Sequence, residues 1–383
     1  MRHSMLRSIM TTSEPSISSG DPVISCATFF ACFLFDVADS IDLKKLGSVA
    51  GESTEPAPLL RTLPSPEAIQ FAVPPLAANL PAVAVDGRPA LARTKIYDYG
   101  VVSIRYSFAY AGPWSGLVDL AADLRKDERL LTLARQSLND VLRDCSDALD
   151  EPHDPLTEDY FVASVEEFAQ PMQARELLDS FRPALVKLMM AEPRELALDE
   201  QAEAIRFHFS YFPDDLVVVQ WDSAFIYDSR PDAEVVLDLL EFANSELVEF
   251  RTYDGRLDAE LNAIYTVDFP PRNRWRPFRR RDTELRAAQL RYLLVDIREL
   301  ADRASNALKI TGDAYYARIY RAIATRLGLD VWQRQIETKL DAVGDVYRYL
   351  VDQGQVARGE FLELIVIVLI AIEIVVGVVG LHH

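Results

Sequence analysis

Apolar positions along this chain change their spacing twice, and each change predicts a different kind of element. Residues 23 to 37, VISCATFFACFLFDV, form an unbroken run rich in Phe, Val and Ile, the pattern of a buried strand. A short helix is expected over Ile41–Leu46, with Asp36, Asp39 and Asp42 read as capping residues, since an acid or Ser40 ahead of an apolar run satisfies free N–H groups. From Glu52 to Pro89 eight prolines interrupt any period, which predicts a long irregular connection. KIYDYGVVSIRYSFAY, Lys95–Tyr110, predicts two strands meeting near Gly100. One helix is expected from Ser115 to Leu149, then a strand over Tyr160–Phe168 and two short helices within Ala174–Met190. Three short strands separated by turns are expected between Ile205 and Tyr227.

From Pro231 onward the period is helical. Phe242, Phe250, Tyr253, Leu257, Leu261 and Ile264 predict one long amphipathic helix, and further helices are expected over Thr283–Ile310, Asp313–Leu327 and Asp330–Gln353. Short links make these antiparallel neighbours. The final pattern is FLELIVIVLIAIEIVVGVVGL, Phe361–Leu381, in which sixteen of 21 residues are Leu, Ile, Val or Phe. At about 1.5 Å per residue it reaches roughly 31 Å, enough to cross a bilayer. Gly359, Leu362, Val366, Leu369, Glu373, Val376 and Gly380 recur at threes and fours within it, the spacing of a helix–helix seam. That seam predicts self-association, with Glu373 neutral or hydrogen-bonded across the interface.

The expected fold is therefore α+β: a mixed N-terminal α/β domain, a long-helix antiparallel bundle and one C-terminal transmembrane helix. The divisions are a disordered leader over 1–22, an α+β domain over 23–230 with the Pro-rich connection at 52–89, a helical domain over 231–357 and a tail anchor over 358–383.

Composition narrows the partners. With 383 residues and a net charge of −19, the chain has length for a core and an unfavourable surface for DNA. Cys26, Cys32 and Cys145 make no CxxC pair, which points to a reducing compartment. The leader has no apolar secretion signal. No glycine pattern builds a phosphate loop or a nucleophile elbow, there is no HExxH, and of the histidines His208 alone falls in an expected strand, read as an ordinary packed or surface side chain. His153 falls in an Asp-Pro loop, and Glu246, Glu249 and Asp254 beside Arg251 and Arg256 read as a solvated, ion-paired helix face. No catalytic residue, metal or cofactor is expected.

One polar stretch departs from the acidic background. PRNRWRPFRRRD, Pro271–Asp282, sets Arg272, Arg274, Arg276, Arg279, Arg280 and Arg281 around Trp275 and Phe278. Guanidinium groups with stacking rings suit phosphate, as anionic lipid headgroups or RNA. A solvated loop neutralised by the chain's own acids explains the same pattern.

The segments RGEFLELIVIVLIAIEIVVGVVGL, ALKITGDAYYARIYRAIATRLGL, KLDAVGDVYRYL and LVEFRTYD resemble the YagE family, which includes the proteins called required for meiotic nuclear division. The resemblance runs from about Ala204 to the end. Arg358, Glu363 and Glu373 match, and Leu364 departs where members often carry Trp. It implies an α+β front, a helical back half, a C-terminal membrane helix, homo-oligomers and no established enzymatic activity. Eukaryotic relatives include an inner mitochondrial membrane protein associated with mitochondrial translation.

Together these readings predict a tail-anchored, non-enzymatic oligomeric scaffold or tether in the inner membrane, its body facing the cytoplasm. A mitochondrial inner-membrane protein facing the matrix is the alternative location. RNA or ribosome tethering through the Arg-rich loop, and an enzyme acting on a phosphorylated substrate, are the alternative functions.

Overall fold

The structure, a computed structural model, describes residues 20–49, 55–56, 73–192, 194–266, 288, 291–299, 314–345 and 348. Strand β1, Val23–Ile41, is the middle of a nine-stranded sheet. The other strands are β2 (Glu55–Pro56), β3 (Leu76–Val85), β4 (Arg88–Ile96), β5 (Val101–Pro113), β6 (Leu149–Phe168), β7 (His208–Phe209), β8 (Leu216–Val219) and β9 (Ser223–Tyr227), in the order β2-β3-β4-β5-β1-β6-β9-β8-β7. All neighbours are antiparallel except β6 and β9, which run parallel. Helices cover both faces of β1, and this explains its unbroken apolar run where a half-exposed strand shows alternation.

Odd positions of β1 from Ala27 to Val37 enter one core with α1 (Leu43–Val49), α2 (Trp114–Lys126), α3 (Glu128–Cys145), α4 (Ala174–Asp179), α5 (Arg182–Met190) and α6 (Leu198–Ala204). Cys32 and Leu34 face a second core, closed by α7 (Arg230–Thr266) and α8 (Ala314–Leu327). Residues 329–345 continue as a helix whose Ile336, Leu340 and Val343 join that core. The described part of the back half is thus a layer on the sheet, and the expectation of a separate long-helix bundle is corrected: the apolar stripe of α7 packs on strand side chains.

Several local expectations change in detail. The single helix expected over 115–149 is two, because Asp127 is extended and its carboxylate caps the second by accepting from the Arg129 amide. The Pro-rich connection contains β3, whose Leu80–Val83 register break accommodates Pro81. Gly100 does sit between β4 and β5: its φ is +94°, and a Cβ there would lie 1.7 Å from the Ala38 carbonyl oxygen. Asp42 caps α1, accepting from the Lys44 amide at 3.1 Å. Asp36 and Asp39 instead pair with His153 at 3.4 Å and Arg256 at 2.6 Å.

The membrane expectation is also corrected. No helix among the described residues is long and apolar enough to cross a membrane, so neither an inner-membrane nor a mitochondrial single-pass placement is supported. The stretch Phe361–Leu381, with Gly359, Leu362, Val366, Leu369, Glu373, Val376 and Gly380, lies outside the described residues.

Candidate functional site: a charged groove on the sheet

Strand alternation sends Lys95 of β4 and Ser103 and Arg105 of β5 to the α7 side, where a helical stripe of Asp238, Glu241 and Ser245 meets them. Lys95 Nζ donates to Glu241 Oε2 at 2.6 Å and to Asp238 Oδ1 at 2.9 Å. Ser103 Oγ donates to Glu241 Oε1 at 2.5 Å, and Tyr99 and Ser245 share a hydrogen bond of 2.6 Å. Arg105 completes the network with ion pairs of 3.5 Å to Glu241 and to Glu234. Lys95, Arg105 and Glu241 are each no more than 4% exposed.

Burial and pairing oppose each other here. Burial raises the Glu241 pKa, but Lys95 and Arg105 outweigh it and hold the carboxyl at about 2. Asp238, penalised by burial and by Glu241, is raised despite Lys95. Burial lowers Lys95, yet Asp238 and Glu241 leave it raised overall. The Cys32 thiol, behind Arg105, is pushed to about 12 by burial and then by Glu241, so it is an inert thiol.

Beside this network the α7 layer ends and the sheet face opens into a groove of about 790 Å³. Cys26, Thr28 and Phe30 of β1, Leu91 and Arg93 of β4, and Arg105 and Ser107 of β5 contribute to its lining. Arg230, Ala233, Glu234 and Leu237 from the first turns of α7 form its wall, with Glu166 of β6 at one end. Apolar walls with a few convergent polar groups and a volume of roughly 300–1,000 Å³ are the usual features of a small-molecule site.

The expected site residues fall elsewhere. Arg272, Arg274, Arg276, Arg279, Arg280, Arg281, Trp275 and Phe278 lie outside the described residues. The helix face read as solvated is largely buried: Glu246 is 0% exposed and accepts from the Tyr320 hydroxyl, and Glu249 is 2% exposed. Arg251 pairs across to Glu158, and Asp254 accepts from Lys339 at 2.7 Å. His208 is an exposed side chain on β7, bonded to the Ile205 carbonyl at 2.8 Å. His153 belongs to β6, where its pairing with Asp36 outweighs burial and raises its pKa. Among the described residues no group of three or more His, Cys, Asp or Glu is arranged to hold a metal ion. The charges of the buried network were visible as Lys95 and Arg105 inside β-branched and aromatic runs and as Asp238 and Glu241 inside VVLDLLEFA. Charges embedded in apolar runs signal a buried pair.

Residues 26–234, from the start of β1 to the first turn of α7, match the family model described as "Uncharacterized protein MJ0711, N-terminal domain". The chain belongs to this family. That assignment replaces the resemblance to the YagE and meiotic nuclear division proteins. The protein MJ0711 of Methanocaldococcus jannaschii is 22% identical over 228 residues, which cover 58% of this chain and 67% of that protein. No solved structure matches the chain. The MJ0711 N-terminal domain match includes Lys95, Arg93 and Arg105 and stops before Asp238 and Glu241, so it covers the sheet side of the groove and only the start of its helical wall.

Proposed function

We propose that this protein is a ligand-binding module that takes a small organic molecule into the groove on its sheet and senses it through α7. The observation that carries this reading is that the groove's wall and its floor are wired together. Glu234 of the wall and Glu241 deeper in α7 both hold Arg105, whose side chain also lines the open space. A ligand that alters Arg105 therefore acts on the docking of a 37-residue helix. The chemistry favours binding over acid–base catalysis: a carboxyl held at about 2 is a weak proton acceptor at neutral pH.

Thermal-shift measurement of the full chain against a panel of small molecules tests the reading, with Ala109→Trp, at an exposed groove position, as the blocked control. Compounds that raise the melting temperature of the parent and not of Ala109→Trp are the expected result. A panel that shifts both alike, or neither, removes it.

Self-association is a second reading. Tyr211, Phe212 and Trp221 are each more than 60% exposed near the short edge strand β7, and exposed aromatics beside an open edge favour association. Sedimentation showing only monomer at micromolar concentration sinks it.

A further inference from the structure

Arg93 and Arg105 are direct cross-strand partners of β4 and β5, on the face that forms the groove. Like charges directly opposite in a sheet destabilise it, so this placement needs a counter-charge. Arg105 has two carboxylates to face, Glu234 and Glu241, without close contact to either. Its two ion pairs are long, at 3.5 Å, and its Nε and Nη1 are buried with no hydrogen-bond partner although the residue is 4% exposed. An unmet buried donor costs about 1–3 kcal/mol, more when charged. Arg93, half-buried, makes no ion pair with any other described residue.

Asn79 pairs with Arg93 on the β3 side, Ser107 follows Arg105 on the same face, and all four line the groove. The first turn of α7 adds the positive end of a long helix dipole, while Arg230 acts on Cys26 at the same end as Glu166. Two acids also line the space. Glu234 is engaged by Arg105. Glu166 belongs to the far end, where burial and then its charge raise the Cys26 thiol; Cys26 and Cys32, the β1 partner of Arg105, are six residues apart, roughly 20 Å along an extended strand. At the Arg93–Arg105 end, Asp238, Glu241 and Glu234 are engaged by Lys95 and Arg105, and Arg93 is left without an ion pair among the described residues.

We infer that the groove binds a ligand bearing an oxyanion, a phosphate or a carboxylate, chelated between Arg93 and Arg105, with an apolar body lying against Phe30, Leu91 and Leu237. Two guanidinium forks suit the paired oxygens of such a group. The inference rests on the groove being a ligand site and adds the class of ligand.

Isothermal titration of the full chain with phenyl phosphate and with benzoate, at constant low ionic strength, tests it. Saturable binding of at least one is expected, and the stronger probe identifies the oxyanion. Arg93→Met should weaken it about tenfold or more, while the unliganded variant melts at the same temperature as the parent or higher, because a like-charge cross-strand pair is gone. Arg105→Lys should weaken binding too, but its fold is at risk, so Arg93→Met decides. No saturable heat from either probe overturns the inference, as does equal affinity in parent and Arg93→Met. If neutral compounds still stabilise the parent and not Ala109→Trp, only the oxyanion assignment falls; if nothing does, the groove reading falls with it.

Discussion

Glu241 is the residue on which the interior electrostatics turn. It accepts from Lys95 and Ser103 and faces Arg105, so two buried cations share this one carboxylate. Removing one member of a buried pair costs about 3–5 kcal/mol because the other is left uncompensated, whereas replacing both by apolar groups can be nearly neutral. Glu241→Gln should therefore lose about 3 kcal/mol in urea unfolding at pH 7, the low end because Asp238 still holds Lys95. The pH dependence has a defined sign. The folded pKa, about 2, lies below the ordinary 4.5, so the stabilisation is present above 4.5 and lost as pH falls toward 2. The gap between parent and Glu241→Gln should be constant from pH 7 to 5 and shrink below about 4. A gap unchanged at pH 3 contradicts the ionised assignment.

At the scale of elements, patterns that depend on neighbours in sequence were legible and those that depend on neighbours in space were not. The buried strand β1, the Gly100 junction and the long helix α7 follow from apolar runs and periodicity. Strand β3 was hidden because Pro81 and a run of alanines match a loop, and only pairing with β4 makes LAANLPAVAV a strand. Glu246 and Glu249 looked solvated because nothing in the helix itself announces that the sheet and α8 would cover that face. The Arg93–Arg105 pairing is equally invisible, since it needs the β4–β5 register.

The junction between β9 and α7 shows an electrostatic consequence of such spatial neighbours. Burial, then Asp232, Asp215 and Asp214, raise Asp228 to about 7 against the amide of Ser229, which lowers it; the Tyr315 hydroxyl packs nearby from α8. A carboxyl raised in the folded state favours folding below its unfolded value of 3.8, and that advantage is lost as pH climbs through about 7. Asp228→Asn keeps an acceptor for Ser229 and removes the charge. Its melting temperature should exceed the parent's at pH 8 and converge on it near pH 4. Parallel curves would place Asp228 in water with an ordinary pKa.

For the whole molecule, the family boundary and the physical boundary disagree. The MJ0711 N-terminal domain match ends at residue 234, one turn into α7, yet among the described residues the helices that cover the second face of the sheet come after that point. Leu34, Val101, Val162, Val217 and Ile226, each at most 1% exposed, are covered by Val236, Leu240, Ala243 and Phe250 of α7 and by Ile319 and Ile323 of α8. Fully burying such a side chain is worth about 1.5–3 kcal/mol, so exposing five of them is comparable to the whole stability of a domain, about 5–15 kcal/mol. The polar account points the same way, because Lys95 and Arg105 lose Asp238 and Glu241 together. A fragment ending at residue 234 should therefore aggregate or retain strand content without a cooperative thermal transition. A fragment carried on to residue 348 should restore a single sharp one. Circular dichroism melts of the two fragments beside the full chain give the comparison, and a cooperative melt from the shorter fragment would show that the sheet needs no helix on its second face. The same result would detach the groove from α7, since its wall would then be an accessory to a domain already complete.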